Sequence, residues 1–283
     1  MYTPIPFHFE ADQRFVQLET MGKGPSLLVI VGGPGLSHRY LSPYLHALAE
    51  DFTLYVYDQT GCGRSETLPE SEHYTLHRER LLMQQLLAYC KRTNPEHPVY
   101  IMGHSFGALQ VMGLLCESRD NIVDKAILMT SMPIYQTPKD NALLTRLLRL
   151  RPDMKDRYFA LNRIRRKRPW TKAEQNEAVA VGLSGGLIEP DRIFELDFDY
   201  NPIIVEHFAL EYPSYDLRER AAGVTLPIHV IAGKHDFFTL DKQQDIANAF
   251  PNASLDIFEE SAHFPFFEQP TRFTQSVRDF LKS

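Results

Sequence analysis

Ser105 sits between Gly103 and Gly107 in the string "IMGHSFG", directly after a run of apolar residues. A serine hydroxyl is a weak nucleophile unless a base takes its proton and an acid orients that base. The chain offers both downstream. Asp236 follows the apolar run "IHVIAG" in "GKHD", and His263 follows "SLDIF" in "EESAHFPF". Serine, then acid, then histidine, each just past an expected strand, is an order and spacing suited to acyl transfer. His235 comes too early for the base, and His229 lies inside an apolar run and reads as a core residue. An acyl-transfer site also needs N–H donors for the developing oxyanion. The amide of Phe106, after the serine, is one candidate. Gly33 in "VGGPGLSH" is the other, because Pro34 has no N–H to offer.

These residues need elements to hold them. Near-continuous apolar runs at 26–31, 52–58, 99–103 and 126–130 suit strands buried on both faces of a parallel sheet, and 14–19 alternates as a half-exposed strand does. Segments 40–50, 76–92 and 106–118, with apolar residues at helical spacing, fall between them. From about 135 to 216 no buried-strand run occurs. Helical patterns cover 141–150, a stretch around Tyr158, and a segment opening at Thr171, where Thr171 and Glu174 have capping-box spacing. Strand and helix alternation then resumes with 228–233, 241–250, 254–258 and 271–281. The reading is a doubly wound α/β core, 1–134 and 217–283, interrupted by a mainly helical cap at 135–216. In such a sheet Ser105 ends a strand and starts a helix, where flanking glycines relieve backbone crowding and the turn lifts the hydroxyl. The core and the order of its three residues give the α/β-hydrolase fold as the expected class.

Composition narrows the partners. The 283 residues carry a net charge of −6, which disfavours nucleic acid. The one basic run, 163–168, reads as a solvated helix end. No apolar run is long enough to span a bilayer, the start lacks a secretory pattern, and three cysteines make no disulfide framework. A cytoplasmic protein acting on a small molecule or short peptide, without metal or other cofactor, is expected.

The strings "GGPGLSHRYLSPY", "YDQTGCGRS", "GKHD" and "SAHFPFFEQP", with the serine turn, together resemble the proline iminopeptidase family of α/β-hydrolases. The likeness spans roughly 25–132 and 225–283. Val31 stands where that family usually has His, Thr60 where it has Arg, and Gly-His-Ser-Phe-Gly replaces Gly-Gly-Ser-Trp-Gly. The resemblance implies a serine hydrolase that releases an N-terminal residue from small peptides, holding the free amine with cap carboxylates. It points to Glu206 in "VEHFALEY", to Glu174 in "PWTKAE", where Ala173 replaces a second Trp, and to Glu211. An esterase, lactonase or carbon–carbon hydrolase would share the same three residues and differ in its cap. A binding protein that keeps the fold without turnover is the alternative outside enzymes.

Overall fold

A computed structural model describes residues 1–69, 72–117, 122–137, 142–211 and 214–283. In chain order the strands are β1 (Thr3–His8), β2 (Phe15–Met21), β3 (Ser26–Ile30), β4 (Thr53–Tyr57), β5 (Val99–His104), β6 (Lys125–Met129), β7 (Tyr135–Gln136), β8 (Tyr215–Asp216), β9 (Ile228–Gly233) and β10 (Ala253–Phe258). The helices are α1 (Leu76–Thr93), α2 (Phe106–Glu117), α3 (Ala142–Arg149), α4 (Pro152–Arg165), α5 (Lys172–Leu183), α6 (Pro202–Glu211), α7 (Arg218–Ala221), α8 (Leu240–Ala249), α9 (Pro265–Glu268) and α10 (Pro270–Lys282). Ser118 and Asn141, which the expected helices include, and Tyr212, which ends the string "VEHFALEY", lie outside the described residues.

The main sheet has the order β1-β2-β4-β3-β5-β6-β9-β10. From β4 to β10 the neighbours run parallel, while β1 and β2 form an antiparallel ribbon at one edge. This is the α/β-hydrolase architecture that the apolar runs predict. Successive residues of each strand face opposite sides. Leu27, Val29, Met102, Ile127 and Ile231 enter one apolar core, and Leu28, Ile30, Ile101, Leu128 and Val230 the other. Covering both faces explains the unbroken hydrophobicity of these strands. α2 is buried along nearly its whole length, Phe106 to Leu115, so it shows no polar stripe.

Strand β1 carries Pro4 and Pro6, which argue against a strand in the sequence but are tolerated at a sheet edge. Segment 42–50 forms 3-10 rather than α-helical turns, burying Leu45 and Leu48 at the three-residue spacing of that helix. Between β6 and β9 the described residues add no strand to the main sheet. Helices α3 to α6 occupy this stretch, and β7 pairs with β8 at its two ends. Among the described residues no helix is long and apolar enough to cross a membrane.

Candidate active site

Four loops leave the C-terminal ends of parallel strands on one side of the sheet, where open α/β sheets place their ligands. They follow β3, β5, β9 and β10, and they bring Gly33, Ser105, Asp236 and His263 together. Ser105 occupies the strand-to-helix turn with φ +55°, a left-handed backbone that a non-glycine residue rarely adopts. Its flanking glycines are sterically required. A Cβ on Gly103 would lie 2.6 Å from Ala108 Cα, and one on Gly107 would lie 2.3 Å from the Ile30 carbonyl oxygen. The turn therefore packs α2 directly on β3 and β5.

His263 Nε2 lies 2.9 Å from Ser105 Oγ, and His263 Nδ1 lies 3.0 and 2.9 Å from the two Asp236 carboxylate oxygens. All three residues are buried, and Asp236 also accepts the Phe238 N–H at 3.1 Å. This unbroken line can draw a proton from the serine hydroxyl onto the imidazole and stabilise the imidazolium that results. The inserted segment helps hold the histidine, whose N–H donates to the Gly186 carbonyl at 2.8 Å.

Gly33 has φ +120° and lines the same cavity as Ser105. Phe106 opens α2, and its ring stacks on Phe208 of α6. The loop carrying Gly33 is fixed from below by residues that sequence reasoning missed. The Gly32 N–H donates to Tyr40 Oη at 2.7 Å, Tyr40 Oη lies 2.7 Å from His104 Nδ1, and His104 Nε2 lies 2.9 Å from the His263 carbonyl. Roles along this line are forced. A carbonyl only accepts, so His104 Nε2 carries the proton, Nδ1 accepts from the tyrosine hydroxyl, and that oxygen accepts from Gly32. Burial, reinforced by His263, pushes the His104 pKa well down, consistent with a neutral ring. Burial likewise pushes the Tyr40 hydroxyl up, keeping it protonated. Tyr40 and His104 are 64 residues apart, so no local pattern signals the pair.

The Asp58–Ser65 string lies beside this loop. Asp58 accepts the His38 N–H at 2.9 Å and the Arg64 N–H at 3.0 Å, which gives its carboxylate a loop-shaping role.

The three carboxylates that the family resemblance singled out do not reach the cavity. Glu206 is exposed on α6 and pairs with Arg165. Glu174 closes the capping box of α5 and accepts two hydrogen bonds from Arg168, each 2.7 Å; that guanidinium and the Thr171 amide hold its carboxyl down to about 2. Glu211 Oε2 accepts the Leu76 N–H at 3.1 Å, capping the start of α1. Each carboxylate is drawn to a cation or a helix N-terminus outside the cavity.

The cavity beside Ser105 measures about 140 Å³. Its core-side wall includes Leu36, Met132, Phe237 and Phe264, and its outer wall includes Arg146, Val179, Leu183, Tyr200 and Val205 from the inserted segment. Burial pushes the Tyr200 hydroxyl up to about 12, so it stays a neutral donor and acceptor.

A mostly parallel sheet with a serine on this strained turn, met by a histidine and an aspartate from later loops, defines an α/β hydrolase. The chain belongs to the alpha/beta hydrolase family, whose profile matches residues 27–275. Among curated proteins it is similar to the proline iminopeptidase of Saccharolobus solfataricus, 23% identical over 92% of this chain and 86% of that one. It is also similar to the proline iminopeptidase of Heyndrickxia coagulans, 25% identical over 95% and 94% respectively. Among solved structures, a thermophilic esterase from Thermogutta terrifontis superposes with a TM-score of 0.72 at 19% identity, covering 100% of this chain and 98% of that one.

Proposed function

We propose that this protein is a serine hydrolase that cleaves a small acyl compound, an ester or lactone, through an acyl-enzyme on Ser105. The observation that carries the reading is the continuous hydrogen-bonded line from Asp236 through His263 to Ser105, opening into a cavity lined mainly by apolar side chains. Ser105 Oγ attacks the carbonyl carbon while His263 Nε2 takes its proton, and Asp236 stabilises the imidazolium. The Gly33 and Phe106 amides receive the negative charge that develops on the carbonyl oxygen. Collapse breaks the bond to the leaving group, which takes the proton from His263. A water molecule, deprotonated by the same histidine, then attacks the acyl-enzyme and releases the acid and free Ser105.

Size and polarity support a compact, non-cationic substrate. A cavity of about 140 Å³ is close to the roughly 150 Å³ that accommodates a benzene-sized molecule. Among its described lining residues there is no Asp or Glu to hold an ammonium group. Residues 135–216 are proposed to act as the cap that shapes this space. The unpaired thiols of Cys62, Cys90 and Cys116 support a reducing, cytoplasmic setting.

A second reading, an aminopeptidase of proline iminopeptidase type, is favoured by the near full-length similarity to the curated relatives. A panel of p-nitrophenyl esters and aminoacyl p-nitroanilides separates the two. Ester turnover with an initial burst of one p-nitrophenol per chain, exceeding anilide turnover beyond the difference in intrinsic reactivity, supports the first reading. Prolyl anilide cleavage that disappears on acetylating the substrate amine would replace it with the second.

A further inference from the structure

Arg146 lines the cavity beside Ser105 and has no part in the acyl-transfer steps. Among the described lining residues it is the one permanently charged side chain. Several other arginines between β6 and β9 meet carboxylates: Arg151 pairs with Asp153 and Asp191, Arg157 with Glu177, Arg165 with Glu206, and Arg168 with Glu174. Arg149, Arg163 and Arg166, which meet none among the described residues, are exposed to water. Arg146 meets none among the described residues, and its Nε is buried without a hydrogen-bond partner. Burial draws its pKa below the usual arginine range, and the groups opposing that shift are the phenols of Tyr158 and Tyr200. The Tyr200 hydroxyl, raised to about 12 by burial, supplies no negative charge at neutral pH.

A half-buried guanidinium whose Nε is shut off from water and which meets no counter-charge is unfavourable, and a carboxylate ligand would relieve it with paired, charge-assisted hydrogen bonds. The position of α3 is also fixed. Arg149, one turn after Arg146, donates its guanidinium to the His235 carbonyl, next to Asp236. The arginine in the cavity is thus carried by a helix tied to the loop that holds the acid of the triad.

We propose that Arg146 is an anion-recognition residue, and that the cavity takes a small acyl substrate bearing a carboxylate a few bonds from the carbonyl that Ser105 attacks. This inference rests on the acyl-hydrolase reading of the same cavity and names its substrate class. A free amine at that position would meet a like charge.

The test compares the mono-p-nitrophenyl ester of glutaric acid with its neutral methyl ester, and separately measures glutarate binding to the Ser105→Ala protein by calorimetry. The native protein is expected to favour the acid over the methyl ester by about tenfold or more in kcat/KM, the strength of one charge-assisted pair. Arg146→Gln should erase that preference, and Arg146→Lys should retain part of it. Arg166→Gln, which removes the same charge from the exposed basic run, should leave the preference unchanged. In Ser105→Ala, glutarate should bind and should lose about tenfold or more in affinity when Arg146→Gln is added. Glutarate binding that is absent, or indifferent to Arg146→Gln in a protein with native circular dichroism, would overturn the proposal even if neutral esters are cleaved. If neither ester is cleaved yet glutarate binding depends on Arg146, the anion site stands and the acyl-hydrolase reading falls.

Discussion

Tyr40→Phe removes one buried oxygen and tests the support beneath the loop that carries Gly33, the proposed oxyanion donor. The ring's stacking on Phe198, centroids 5.6 Å apart, survives the change, so packing is conserved. Two partners do not survive it: the Gly32 N–H and His104 Nδ1, each 2.7 Å from the hydroxyl, lose their hydrogen bonds. Tyr40 is fully buried and His104 is 2% exposed, so water does not reach either group without a local opening. An unsatisfied buried polar group is unfavourable by about 1–3 kcal/mol, so the pair should destabilise the protein by about 3 kcal/mol. At about 2–4 °C per kcal/mol for a chain of this size, Tm should fall by roughly 10 °C. Activity should fall too, because Gly32 sets the position of the neighbouring Gly33 amide; a loss of about tenfold in kcat corresponds to about 1.4 kcal/mol of lost transition-state stabilisation. Thermal unfolding followed by circular dichroism, with ester turnover in parallel, reads both effects. His104→Gln keeps a donor toward the His263 carbonyl but loses the acceptor for the tyrosine. In that background Tyr40→Phe should be milder by about 1 kcal/mol or more, since the two residues act as one unit. A Tyr40→Phe protein that melts within about a degree of the native one would refute the forced chain of donors and acceptors, whose loss is worth far more than that.

Glu79 gives a pH-dependent prediction: burial raises its carboxyl to about 7, so the folded chain keeps a proton that the unfolded chain releases above about 4.5. Stability should therefore fall as pH rises from about 4.5 to about 7, by about 3 kcal/mol, and Glu79→Gln should flatten that slope; urea denaturation at pH 5 and 8 gives parallel losses for both proteins if the reasoning is wrong. In Gly107→Ala the new methyl would lie 2.3 Å from the Ile30 carbonyl oxygen. Pushing α2 off β3 should destabilise by about 1–3 kcal/mol and lower kcat by displacing Ser105, both measurable on one preparation. Asp236→Asn should reduce kcat by about 10³-fold or more with KM little changed, because it removes the charge that stabilises the imidazolium; steady-state ester kinetics decides it.

The parts of this site that a reader of the sequence can find are those set by sheet topology. Ser105 and Asp236 follow strands buried on both faces, which announce themselves as largely apolar runs, whereas His263 follows the half-buried edge strand β10, legible by its place in the alternation of strands and helices; the glycines around Ser105 mark a turn where backbone meets backbone. What the sequence hides is which way the helices of the inserted segment face. Glu206 lies next to Val205, which lines the cavity, yet its own side chain turns out to Arg165. Glu174 is legible as a capping residue from its spacing to Thr171, and that local bond is what keeps it from the cavity. Glu211 is turned to α1 by a helix start 135 residues earlier in the chain. Arg146 carries no signal in sequence, because a lone arginine on a short helix reads as a solvated charge until the cavity behind it is seen. The Tyr40–His104 line depends on the same long-range packing.

Covalent labelling tests the central claim, that Ser105 is an activated nucleophile. The native protein is treated with a fluorophosphonate at neutral pH, digested and mapped by mass spectrometry, beside Ser105→Ala and His263→Ala. The account predicts a single phosphonyl adduct on the peptide containing Ser105, none on Ser105→Ala, and labelling of His263→Ala slowed by about 10³-fold, since the base is gone. An unlabelled native protein, or an adduct on another residue while esters are still cleaved, would contradict it.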